Sequence, residues 1–203
     1  MVCPLAATSN RNSILSSLLL LLLLSATAGA HTGSGAVGGF VSGFSHPIGG
    51  LDHIVAMVAV GLWGAFLCGR AMWTLPVVFP VIMAFGGAGG VLGIPLPGVE
   101  SGIALSGIVL GLMVTFAVKP PLWVAAVLVG FFAVFHGHAH GTELPTAANP
   151  LTYAVGFVIC TGLLHLVGIA FGLLVRWPWG RIAVRAGGVA IALVGCGFLF
   201  NFL

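Results

Sequence analysis

"HPIGGLDHIVAMVAVGLWGAFLCGR", His46–Arg70, decides the fold. No charged side chain stands between His53 and Arg70, and about 20 apolar residues suffice to cross a bilayer as a helix. Yet the first eight residues, "HPIGGLDH", crowd His46, Asp52 and His53 into this apolar run. The setting makes that crowding costly. The 203-residue chain is 60% hydrophobic and 4% charged, with only three acidic residues and a mean hydropathy of +1.23. A water-soluble domain carries about a quarter of its residues charged, so this chain cannot clothe itself for water. The expected fold class is all-α: a polytopic membrane protein whose outer surface is solvated by lipid.

Six spanning helices are expected, at about Leu51–Gly69, Met72–Ile94, Glu100–Val118, Leu122–His140, Leu151–Val175 and Ala186–Leu203, each boundary good to roughly 2–4 residues. A Gly-rich lead-in, Val37–Ser45, precedes the first. Residues 1–30 read as a secretory signal: Arg11 in a polar start, the apolar run "ILSSLLLLLLLL", and small residues ending at Ala28-Gly29-Ala30. Cleavage after Ala30 leaves residues 31–203 as the mature six-helix domain; an uncleaved signal anchor is the other reading. The basic residues fix the orientation, since cytoplasmic loops carry the excess of Lys and Arg. Arg70, Lys119, Arg176, Arg181 and Arg185 all fall on the side opposite the mature N-terminus, which is therefore expected outside. The formal charge of +3 is scattered and makes no nucleic-acid patch.

Cys3 belongs to the signal. Cys68, Cys160 and Cys196 lie singly in apolar runs, without metal or disulfide spacing, and read as small core residues. Glycines recur at four-residue spacing, as in Gly86 and Gly90, or Gly137 and Gly141, a pattern that lets helix backbones approach closely in lipid. Pro47, Pro76 and Pro80 are expected to bend or break their helices. The two halves show no convincing internal repeat.

A second polar cluster, "FHGHAHGTE" (Phe135–Glu143), closes the fourth span. With the orientation above, both clusters lie at the outer membrane level, where Glu100 opens the third span. Residues four apart share a helix face, so His136, His140 and Glu143 form one stripe and His138 points elsewhere. On an unbroken helix His46 and His53 would stand about 10 Å apart along the axis, too far for one ion. Pro47, Gly49 and Gly50 supply the break that would fold them together, and backbone freed there is tolerable only against protein or a water-lined cavity.

Imidazole with carboxylate suits divalent transition metals, and a carboxylate beside a ligating histidine also fixes its tautomer; Asp52 suits either part. Met57, four residues after His53, is a candidate soft ligand. His31, with a free amine after cleavage, is another. His165, mid-way along the fifth span, reads first as a hydrogen-bonded core histidine and second as a ligand or relay. Glu100 reads first as a helix cap and second as part of a path.

The pair "HPIGGLDH" and "FHGHAHGTE", in this order on the first and fourth spans, resembles the two signature motifs of the HupE/UreJ family, small membrane proteins associated with hydrogenase and urease gene clusters. The resemblance covers the whole mature chain. It implies a nickel permease or facilitator of the bacterial inner membrane, feeding a hydrogenase or urease maturation system, with nickel as substrate, cobalt or zinc as other possible ions, and no organic cofactor. It carries His46, Asp52, His53, His136, His140 and Glu143 over as metal-handling residues; His138 fits less well. No nucleotide-binding loop is present, so passage is expected to be downhill or ion-coupled. Two other functions suit the same residues: an intramembrane metal-dependent hydrolase, with three ligands and a carboxylate base, and an accessory or sensor protein that binds metal without moving it. Haem ligation is poorly matched by the adjacent carboxylates.

Overall fold

A computed structural model describes residues 36–143 and 149–202. The expected signal, its expected cleavage after Ala30 and His31 lie outside these residues. Among the described residues there are seven α-helices and no strand: α1 (Ala36–Gly49), α2 (Leu51–Leu67), α3 (Ala71–Val91), α4 (Val99–Thr115), α5 (Leu122–Thr142), α6 (Pro150–Gly172) and α7 (Pro178–Leu199), with a 3₁₀ turn, Leu173–Arg176, after α6.

Helix α2 is the centre of the bundle. Beyond its first turn, which carries Asp52 and His53, its residues are apolar all round, and every one from Ala59 to Ala65 is buried, as expected of a stretch with no polar face. It packs on α6, α3 and α4, while α3 lies along α5, α4 along α7, and α1 along α6. Large apolar side chains point outward instead: Trp73, Phe85, Trp123, Leu151 and Leu193 are all exposed. An outer face of this kind is stable against lipid, not water.

The α3–α5 seam is made by backbone against backbone. A Cβ at Gly137 would fall on the Met83 carbonyl oxygen, and one at Gly141 on that of Gly87. Reciprocally, a Cβ at Gly86 or Gly90 would strike the carbonyl oxygens of Val134 or His138. These are glycines of the four-residue pattern, and they act here as contact surfaces between helices.

Several boundaries differ from expectation. The Gly-rich lead-in is itself a helix, α1, bent by 83° from α2. Gly50 alone leaves the helical region (φ −117°, ψ 126°), and α2 restarts with the Ile54 N–H donating to the Gly50 carbonyl at 3.1 Å. Pro76 and Pro80 do not break α3, which runs continuously from Ala71 to Val91; α5, packed along it, holds it as one helix. The last helix begins at Pro178, not near Ala186, because proline is pre-shaped for a first helical position. Arg181 and Arg185 therefore lie on α7 rather than in a loop, and Arg185 Nε donates to the Thr115 carbonyl at 2.7 Å. Helix α6 starts at Pro150, where the Asn149 side chain accepts from the N–H groups of Leu151 and Thr152 at 3.0 and 3.2 Å, a satisfied N-cap.

Four helices (α3, α5, α6 extended to Arg176, and α7) are long and apolar enough to cross a membrane, and a fifth span arises if α1 and α2 count as one bent crossing. Helix α4, at 17 residues, is shorter than those four.

The seam yields a paired prediction. Gly137→Ala puts a methyl on backbone that cannot yield, so it should destabilise the bundle by ~1–3 kcal/mol. Gly89→Ala, whose Cβ meets nothing within 4 Å, should leave the thermal unfolding temperature in detergent at or above that of the unaltered protein.

Candidate metal centre

Three elements bring the two motifs together. The break at Gly50 turns α1 across the start of α2, so the rings of His46 and His53 stand with centroids 6.5 Å apart. The α3–α5 seam holds the last turns of α5 against them. The His46 ring lies 4.8 Å from that of His140, and His53 lies 4.5 Å from His140 and 5.4 Å from His136. Four imidazoles from three helices thus form one continuous cluster. Helix α6 closes its side with Phe157, 4.4 Å from the His140 ring, and Tyr153, 5.9 Å from the His46 ring.

The carboxylates lie at its mouth. His46 Nε2 is 3.2 Å from Glu143 Oε2. Asp52 Oδ1 is 2.9 Å from His53 Nδ1. A cavity of about 660 Å³ opens here, lined by His46, Asp52, His53, Glu100 and Glu143 among others. All three acidic residues of the chain therefore border one cavity. Asp52 also occupies the first turn of α2, and Glu100 that of α4, where the helix dipole favours a negative charge. Glu100 thus stands both in the first turn of α4 and in the cavity wall.

Donor atoms of His46, His140 and Glu143 lie within 4.8 Å of one another. Two atoms bound to one first-row ion at about 2.1 Å each stand at most ~4.2 Å apart, so small side-chain rotations close the set. Exposure falls inward from this group: the side chains are 54% exposed at Glu143, 27% at His46 and 12% at His53, while His140 and His136 are buried. Both ring nitrogens of His140 and Nδ1 of His136 have no hydrogen-bond partner among the described residues. Buried nitrogens without partners are costly, and lone pairs of this kind are what a cation takes.

The remaining candidates separate. His138 turns away, as its helical phase requires, and its Nε2 donates to the Ile94 carbonyl at 2.7 Å. The Met57 side chain packs in the hydrophobic core, and it is the Met57 carbonyl, not the sulfur, that meets another candidate: it accepts from His165 Nδ1 at 2.8 Å. His165 Nε2 is left without a partner. Between His165 and the outer cluster stands the buried ring of Phe79, 5.5 Å from His165 and 5.4 Å from His136. Phe79, Tyr153, Phe157 and Ser106, which meets His136 Nε2 at 3.0 Å, escape sequence reasoning. Each is an ordinary residue in an apolar helix, and nothing in its spacing marks it.

These features define a multi-pass membrane protein with a buried imidazole cluster behind a carboxylate-lined mouth. The HupE / UreJ protein family profile matches residues 19–198. The chain is also 48% identical over 172 residues to "Protein HupE" of Rhizobium leguminosarum bv. viciae, covering 85% of this chain and 90% of that one. The chain belongs to the HupE/UreJ family. No solved structure matches it significantly.

Gly50 is tied to this geometry by its lack of a side chain. A Cβ there would lie 2.6 Å from Asp52 Oδ1 and 3.2 Å from His53 Nδ1, whereas one at Gly49 would meet nothing. Gly50→Ala should therefore weaken divalent-metal binding by ~10-fold or more, the scale for disturbing the partner of a metal-ligating histidine. Gly49→Ala should bind as the unaltered protein does; equilibrium dialysis of both variants checks the contrast.

Proposed function

We propose that this protein is a permease or facilitator for nickel or a chemically similar divalent ion, supplying a metalloenzyme such as a hydrogenase or urease. The observation that carries the reading is the convergence of all three carboxylates and two histidines on one cavity, with further imidazoles continuing inward from it. Carboxylates attract and partly dehydrate a divalent cation at the mouth. Imidazoles then take over coordination, a ligand type that suits nickel, zinc and copper. His46, His140 and Glu143 make the first station, Asp52 and His53 flank it, and His136 lies deeper. His165, across the Phe79 ring, is the next titratable group along the same line.

On this reading six spans follow a cleaved signal, with the α1–α2 pair and the 17-residue α4 serving as short crossings. The cavity faces the periplasm of the bacterial inner membrane, and the arginines near the other end of α6 and α7 face the cytoplasm. The trio His46, His140 and Glu143 also suits the ligand set of a hydrolytic zinc centre. The run of imidazoles beyond that trio favours passage, since a hydrolase needs none.

Purified protein in liposomes should admit radioactive nickel, with cobalt and zinc as competitors setting selectivity. His46→Ala and His140→Ala should each abolish nickel accumulation while the protein stays in the membrane at its usual level. Unchanged flux in both variants would sink the site assignment, and binding without flux in the unaltered protein would leave an accessory or sensor role.

A further inference from the structure

We propose that Ser106 is a positioning residue: it holds His136 as the Nε2–H tautomer and so keeps Nδ1 of that ring bare, as a donor for a divalent transition-metal ion at the inner end of the imidazole cluster. Ser106 lies on α4 and His136 on α5, and both are fully buried. The Ser106 hydroxyl oxygen is 2.6 Å from the Ile103 carbonyl oxygen and 3.0 Å from His136 Nε2. A carbonyl can only accept, so the short contact with Ile103 takes the single hydroxyl proton. The serine oxygen then presents a lone pair to the ring, and Nε2 is the nitrogen that carries hydrogen. This arrangement makes two hydrogen bonds. The alternative, with the hydroxyl donating to Nε2, makes one and strands an N–H on Nδ1, which has no acceptor among the described residues.

A neutral imidazole has one N–H and one lone pair. With Nε2 committed to Ser106, the lone pair is at Nδ1. The His136 ring is the innermost of the cluster, beyond His53 at 5.4 Å and not among the three outer donors. A ligating histidine generally has its other ring nitrogen held by a protein group that fixes its orientation. Ser106 fills that part for His136, from a helix that carries none of the family's paired motifs. The ligand class, a divalent ion that accepts imidazole, rests on the function proposed above; the tautomer does not.

The test uses full-length protein with ¹⁵N-labelled histidine in nanodiscs, free of metal, with the His136 signals identified by their loss in His136→Gln. In the unaltered protein Nε2 should show as the protonated nitrogen and Nδ1 as the bare one. Ser106→Ala should mix or invert the two forms. It should also weaken Ni²⁺ binding, measured by equilibrium dialysis, by ~10–100-fold, the range for loss of such a partner. Ser106→Thr, which keeps the hydroxyl, should restore both properties. A protonated Nδ1 in the unaltered protein overturns the proposal, even where no Ser106 variant can be purified. So does a Ser106→Ala protein with unchanged tautomer, or with unchanged Ni²⁺ affinity. Because the tautomer is read without metal, absence of nickel flux in liposomes strikes the transport function and leaves the role of Ser106 standing.

Discussion

Backbone N–H and C=O groups released inside a membrane must find partners in protein or face a polar cavity. The turn at Gly50 meets this constraint. Only one residue leaves the helical conformation, its carbonyl is reclaimed by Ile54, and Asp52 stands in the first turn of the new helix. The turn opens directly onto the carboxylate-lined cavity. Its 83° bend decides what the first motif can do. Straight, the helix would hold His46 about 10 Å along the axis from His53; bent, it sets His46 4.8 Å from His140 of a distant helix.

The cluster that results is expensive. Each buried polar atom without a partner costs about 1–3 kcal/mol, and several imidazole nitrogens are in that position. What holds them there is the packing around them. Glycines of α3 and α5 interlock their backbones next to His136 and His140, and the buried stretch of α2 packs at the centre of the bundle. Chemistry is graded along the same line. Oxygen donors at the mouth are the better match for a hydrated cation, and nitrogen donors further in are the better match for a transition metal that has shed its water. Beyond His136 the Phe79 ring stands before His165, whose Nδ1 donates to the Met57 carbonyl.

Much of this was legible in the residues themselves. Charged and titratable groups are so rare in the chain that each draws attention, and helical spacing alone separated His136 and His140 from His138. The glycine pattern pointed to close helix packing because a missing side chain has the same meaning in any helix. Other features could not be read. Pro76 and Pro80 sit inside a continuous α3 because a neighbouring helix supports it, and no local rule contains that neighbour. The lead-in proved helical for a similar reason: Gly43 and Gly156 let α1 and α6 touch backbone to backbone.

Composition and motif spacing determined an all-helical membrane protein with two polar clusters of metal-binding character, since those properties depend only on which residues occur and how far apart they lie in the chain. Tertiary structure decided that the two clusters meet, that all three acidic side chains line one cavity beside them, and that Ser106 contacts one of the histidines. Contacts of that kind join residues 30 to about 100 positions apart, and local propensity has no reach over such distances.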